Sequence, residues 1–309
     1  MSDEITEATR GGAVGPPRVS GSTPDAGTEH LDVSVVVPTR NAESLIENCL
    51  ASIQRSRPRE LIVVDGMSTD RSVEIARRHG AVVLSDEGRG LPLARRMGAE
   101  RSASHQVALV DVDVRLGEGD LERLLEEFRT EGYTALQAGL HSVSDSGYWG
   151  RALANHHRTG RSKNWFGVVA TVFDRDVLLE HGFDDRFLSG EDIDLRWRLQ
   201  NAGAKIGVSR RTVVEHRFED SWEFAKGQFV ADGHGLGRMV RNHGSRALVL
   251  LGLPAAAAAR GILLSLVRLQ PQWIPYYVVY AVYNYLAIGK ELAGRATRFR
   301  RARVAGTPT

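Results

Sequence analysis

Two aspartates one residue apart, Asp111 and Asp113, end the apolar run "VALVDVDV". Side chains alternate along a strand, so both carboxylates point the same way where the chain leaves a sheet. Like charges that close repel unless a cation or strong donors lie between them. Two arrangements answer this. One is a hard divalent ion, Mg2+ or Mn2+, shared between carboxylate oxygen and a substrate phosphate. The other is a solvated strand end with no ligand. A metal there would neutralise a diphosphate leaving group as its bond breaks. Glu191 and Asp192 open the stretch "GEDIDLRWRLQNAG". Acids at that place complement a helix dipole, and they can also supply a general base for an acceptor hydroxyl. Asp65 follows "ELIVV" and precedes Gly66. A carboxylate there can accept from a ribose or nucleobase, and glycine lets a ligand approach the backbone; ordinary turn chemistry would look the same.

The surrounding elements decide whether these groups meet. Continuous β-branched runs at 33–37, 61–64, 81–84 and 107–110 read as strands buried on both faces. Helical apolar spacing fills 44–53 and 72–79 between them, and Leu121, Leu124, Leu125 and Phe128 mark one face of a further helix with Asp120 as its cap. Such alternation predicts an α/β fold, a mostly parallel sheet with helices on both faces. Ligands in such sheets bind beyond the carboxyl ends of the strands, which places residues 38–43, 65–70 and 111–113 on one crevice. Residues 141–167, rich in Gly, His and Arg, read as a long functional loop. Strands return at 168–173, 206–208 and near 213–215, with a helix over 190–203 between the first two.

From residue 33 to about residue 216 the chain resembles the family 2 glycosyltransferases of the GT-A fold. The resemblance rests on "VSVVVPTRN", "ELIVVDGMSTDRSVEIA", "GRGLPLARRMGAE", "VALVDVDV" and "GEDIDLRWRLQNAG", in the family's order and spacing. It implies an inverting, metal-dependent transfer of one sugar from a nucleotide-diphosphate sugar to an acceptor hydroxyl. Thr39, Asn41, Glu43 and Asp65 would contact the nucleotide, Asp111 the ribose and diphosphate, and Arg89 or Arg95 the diphosphate. Asp113 would hold Mn2+ or Mg2+, with His216, after "TVVE", as a further ligand, and Asp192 would be the base with Glu191 beside it. Pro38 and Gly66 complete the donor side of the crevice. Two departures stand out: Ala94-Arg95-Arg96 replaces the usual Ala-Arg-Asn, and no Gln-x-x-Arg-Trp motif of processive synthases follows the acidic helix. The rival reading is a non-catalytic nucleotide-sugar binder or membrane assembly protein, and the intact acid pairs speak against it.

Other classes fit worse. A net charge of +2 argues against nucleic acid as partner. The single cysteine, Cys49, excludes an intrachain disulfide and falls at a buried helical position. A dehydrogenase would need Gly-x-Gly-x-x-Gly after the first strand, where this chain has "PTRNAESL". "DGHGLGR" at 232–238 imitates that fingerprint without a preceding strand, and His156-His157 lacks zinc-site spacing.

The expected organisation is a disordered tail over 1–30, a catalytic domain over 31–220, apolar helices over 221–290 and a basic tail over 291–309. The tail lacks the apolar core of a signal peptide, which points to the cytoplasm. Tyr276, Tyr280 and Tyr283 share a helical face as interfacial aromatics do, and clustered arginines follow. Peripheral attachment to the inner face of the cell membrane is therefore expected, and a lipid-linked or cell-envelope acceptor with it.

Overall fold

Along β1 (Leu31–Thr39), Val33, Val35 and Val37 enter one core layer and Val36 the other, because the strand is buried on both faces. The computed structural model describes residues 30–145, 147–160, 165–184, 187 and 189–294. The expected N-terminal tail up to residue 29 and the arginine-rich end from residue 295 lie outside them.

Three strands join β1 in parallel: β2 (Pro58–Asp65), β3 (Val82–Ser85) and β4 (Gln106–Val110). The first core layer lies under α1 (Glu43–Gln54), α2 (Ser72–Arg78) and α4 (Asp120–Thr130). The second lies under α3 (Leu91–Arg101), α6 (Arg175–His181) and α7 (Glu191–Asn201). Cys49 is fully buried in the first layer. Asp120 starts α4 but accepts the Gly117 N–H at 2.6 Å, so it closes the preceding turn instead of capping the helix.

Beyond β4 the sheet is mixed, in the order β3-β2-β1-β4-β7-β6-β8-β5. The added strands are β5 (Val114–Arg115), β6 (Ala135–Ser144), β7 (Ala170–Asp174) and β8 (Ile206–Phe218). β7 runs antiparallel to β4 and β6, and β5 antiparallel to β8. β6 escapes sequence detection because Gln137, Gly139 and His141 break its apolar run. The two short late strands are one, irregular where the Ser209 hydroxyl accepts the N–H groups of Arg211 and Thr212.

Residues 141–167 are not one long loop. β6 continues to Ser144, and α5 (Tyr148–Thr159) follows. Gly147 and Gly150 resemble loop residues but serve packing: the Asp220 carboxylate accepts both their N–H groups at the start of α5. After β8 come α8 (Trp222–His243), a 3-10 segment (Gly244–Gly252), α9 (Leu253–Val267) and α10 (Ile274–Leu292). They pack on α5 through an aromatic cluster in which Tyr148 meets Trp149 and Trp273, and Trp149 meets Trp222.

Gly98 sets how closely α3 lies on β1, since a Cβ there would overlap Val36 Cγ1. Gly98→Ala should destabilise the protein by about 1–3 kcal/mol, the usual range for overpacking. An unchanged urea midpoint would contradict this contact.

Candidate active site

The carboxyl ends of β1 and β2 form the first wall. Thr39 pairs in register with Asp65, and the Gly66 N–H donates to the Thr39 carbonyl at 2.8 Å. Pro38 lies beside them on β1. Asp65 is buried and accepts the Ser68 N–H. Asn41 and Glu43, expected on the nucleotide, are engaged across the rim. Asn41 Oδ1 accepts the Thr69 N–H at 2.8 Å, and Glu43 Oε1 accepts from Arg71 Nε at 2.7 Å. They tie the β1–α1 turn to the β2–α2 turn and border an open depression of about 530 Å³ between α1 and α2. Arg89 is exposed on the segment before α3, with its Nε donating to the Asp86 carbonyl.

Arg95 differs from its expected role. Only 2% of its side chain is exposed, and its guanidinium is committed to two carboxylates. Nη2 donates to both Asp111 oxygens at 2.9 and 3.2 Å, and Nη1 donates to Glu191 Oε1 at 3.0 Å. Phe183 stacks against it. Arg95 is therefore an internal bridge between the end of β4 and the start of α7, and no open diphosphate ligand. Glu191 is equally committed as its counter-ion, which leaves Asp192, a half-buried residue, as the acid of that pair not hydrogen-bonded to Arg95.

Strand register brings Asp113 and His216 together. Val114 pairs with His216 in the β5–β8 ladder, and His216 Nε2 lies 3.3 Å from Asp113 Oδ2. Burial depresses the imidazole pKa, but the Asp113 and Asp111 carboxylates together raise it, and the net shift is upward. Asp113 Oδ1 and His216 Nδ1 are both buried without hydrogen-bond partners. Among the described residues no group of three or more His, Cys, Asp or Glu side chains forms a ready-made metal cage. Two protein donors still fit a hard cation that takes its remaining ligands from substrate phosphate and water.

Asp192 sits on the other side of this bridge. Burial first, then the charge of Glu191, pushes its pKa up to about 7. Trp165 Nε1 approaches Asp192 Oδ2 at 3.4 Å. The stretch carrying Trp165 is held by Gln137, a fully buried residue on β6 that sequence reasoning missed. Its side chain donates to the Trp165 carbonyl at 2.9 Å and accepts the Gly167 N–H at 2.8 Å. Val168 beside them has φ +62°, a strained conformation for a β-branched residue and one that collects at functional sites. A polar residue inside an otherwise apolar strand, "ALQAGL", was the available signal.

"DGHGLGR" is not a phosphate loop; it lies within α8. Gly235 packs directly on Gly190, where a Cβ would sit 3.0 Å from the Gly190 nitrogen. His156 and His157 are half-buried on α5. His156 lies among Tyr276, Tyr277 and Tyr280, and burial lowers its pKa to about 4. His157 packs against Phe218 and His216, behind the Asp113–His216 pair.

A model of the family described as "Glycosyl transferase family 2" matches residues 34–180. An uncharacterized glycosyltransferase of Mycobacterium tuberculosis is 35% identical over 180 residues, covering 56% of this chain and 81% of that protein. The pre-mycofactocin glycosyltransferase of M. tuberculosis is 31% identical over 214 residues, 62% of this chain; the match spans only 44% of that relative. Among solved structures, the mannosyltransferase PcManGT from Pyrobaculum calidifontis, in complex with GDP-Man and Mn2+, superposes with a TM-score of 0.59. That match has 20% identity and covers 87% of this chain and 89% of the other, so the likeness is one of fold.

Removing the Arg95 guanidinium would leave Asp111 and Glu191 buried without their counter-charge. Arg95→Met should cost about 3–5 kcal/mol of stability. Adding Glu191→Gln should restore part of it by removing one stranded charge. Denaturation of the single and double variants tests this, and full stability of Arg95→Met would refute the bridge.

Proposed function

The chain belongs to glycosyl transferase family 2, and we propose that it moves one sugar, with inversion, from a nucleotide-diphosphate sugar to an acceptor hydroxyl. The observation that carries this reading is the single guanidinium of Arg95. It joins Asp111, at the strand end with the acid pair, to Glu191, the immediate neighbour of a carboxylate poised near neutral pH.

In this mechanism the nucleotide lies along Pro38, Thr39, Asp65 and Gly66, whose close strand pairing leaves room for a ligand at the backbone. Asn41 and Glu43 shape the rim by bracing the two turns, and Arg89, exposed before α3, would exchange its local contacts for a phosphate. Asp113 and His216, each with an unpartnered buried polar atom, would hold Mn2+ or Mg2+. Bound there, the cation would offset the charge of the departing diphosphate.

Asp192 takes the proton from the acceptor hydroxyl. The freed oxygen attacks the anomeric carbon from the face opposite the diphosphate, forming the new glycosidic bond as the old carbon–oxygen bond breaks. A base with a pKa near the working pH suits this role. Glu191 cannot share the task while its carboxylate neutralises Arg95. Trp165 and the Gln137-held stretch orient Asp192 and wall the acceptor side. The acceptor belongs to a lipid-linked or cell-envelope glycan met at the inner face of the cell membrane, a reading supported by the apolar C-terminal helices.

Asp192→Asn should keep nucleotide binding and lower transfer by about 10²–10⁴-fold, the usual contribution of a general base. In the parent enzyme, transfer should rise with pH through about 7, as Asp192 loses its proton, and then level off. A variant with undiminished turnover, or a flat pH profile across that range, would remove Asp192 from the reaction.

Chelation should abolish transfer. Titration of Mn2+ with a nucleoside diphosphate present, followed by electron paramagnetic resonance, should show markedly weaker binding in Asp113→Asn and His216→Ala. Parent-like Mn2+ binding in both would exclude this pair as the site.

A further inference from the structure

α9 is built inside out for a helix in water. Its small residues Ala258, Gly261 and Ser265 face the protein, and Gly261 is so close to Tyr277 that a Cβ would overlap the ring. Its large aliphatic residues face outward: Leu263 is 60% exposed and Val267 71%, and Leu269 just beyond the helix is 87% exposed. A surface helix ordinarily shows water its polar side.

α10 repeats the pattern. Tyr276, Tyr277 and Tyr280 are buried against α5, α8 and α9, so the expected interfacial tyrosine face is the inward one. The outward stripe is Val278, Val282, Tyr285 and Leu286. The Tyr285 hydroxyl donates to the Leu251 carbonyl at 2.9 Å, which joins this stripe to the 3-10 segment bearing exposed Leu248 and Val249. Exposed apolar area on this scale marks an interaction surface.

Charge identifies the occupant. Between residues 244 and 294 the only acid is Glu291, which is buried and paired with Arg238 and Arg241. Arg246, Arg260, Arg268 and Lys290 are all exposed. The sequence continues with five more arginines and no acid between residues 295 and 303. A second copy of the chain would bring the same cations against themselves, a like-charge contact with nothing to offset it. Anionic headgroups supply the missing charge, and the acyl boundary takes the aliphatic side chains.

We propose that the outward face of α9 and α10 rests on an anionic lipid surface. This deepens the membrane-side placement of the transferase by naming the surface that makes it. The helical run over Trp222–Val267 is long and apolar enough to cross a bilayer. Crossing would strip α9 from Tyr277 and carry Arg260 into hydrocarbon, whereas lying flat preserves the fold.

Vesicle co-sedimentation of the full chain tests the proposal. Binding is expected to phosphatidylcholine vesicles containing phosphatidylglycerol, weakened by added salt, with little binding to phosphatidylcholine alone. The exposed double substitution Leu263→Glu, Val267→Glu should lower partitioning by about tenfold or more, with thermal midpoint and nucleotide binding unchanged. Failure of the parent protein to sediment with anionic vesicles would overturn the proposal. So would a lipid-free dimer, seen by sedimentation velocity, that the same substitutions split, since the occupant would then be a second copy. Partitioning needs no turnover, so either result leaves the proposed chemistry to its own tests.

Discussion

A guanidinium buried between two carboxylates holds the two halves of the candidate site together. Arg95 comes from α3, Asp111 from the end of β4 and Glu191 from the first turn of α7. α7 is far in sequence from the other two, and apolar packing alone would leave its height against them loose. A charged triad in a low-dielectric interior tolerates little displacement, because each group that moves away strands another. The position of Asp192 follows from the triad. It is the next residue after Glu191, so the turn that commits one acid to the bridge directs the other toward Trp165 and Gly167.

The C-terminal helices extend this constraint. Gly235 of α8 touches Gly190, the residue before α7, and His243 pairs with Asp194 at 2.8 Å. Gly233 and Gly237 admit α10 equally closely, against Asn284 and Glu291. α8 thus lies between α10 and the turn bearing Asp192, touching both at glycines. On the opposite flank, His156 and His157 connect the tyrosines of α10 to His216. Burial keeps both histidines below their ordinary pKa, so they pack as neutral rings and add no positive charge behind the candidate metal pair.

Strain and a buried polar side chain mark the stretch from Trp165 to Val169 beside Asp192. Val168 adopts a conformation that valine disfavours, and Gln137 satisfies the backbone groups that this exposes inside the core. An apolar residue at position 137 would leave those N–H groups unpaired, which explains a glutamine in the middle of a sheet.

Periodicity made the first half of the fold legible. Runs such as "VSVVV" and "ELIVV" can be buried on both faces only in a covered parallel sheet, and the acids after them fall at strand ends by that logic alone. The mixed half was legible only in part: β7, β8 and α7 fall where strands and a helix were expected, but β6 and α5 were hidden, because Gln137, Gly139 and Gly147 serve contacts whose partners, Trp165, Ser209 and Asp220, are distant in sequence. By itself the sequence determined which carboxylates lie at the crevice and the family to which they point, since local patterning and motif order are properties of neighbouring residues. Only the tertiary structure decided that Arg95 bridges two carboxylates, that Glu191 and not Asp192 is its partner, and that the tyrosines face inward. Those outcomes depend on which side chains of remote elements reach one another, and on how much water is left between them.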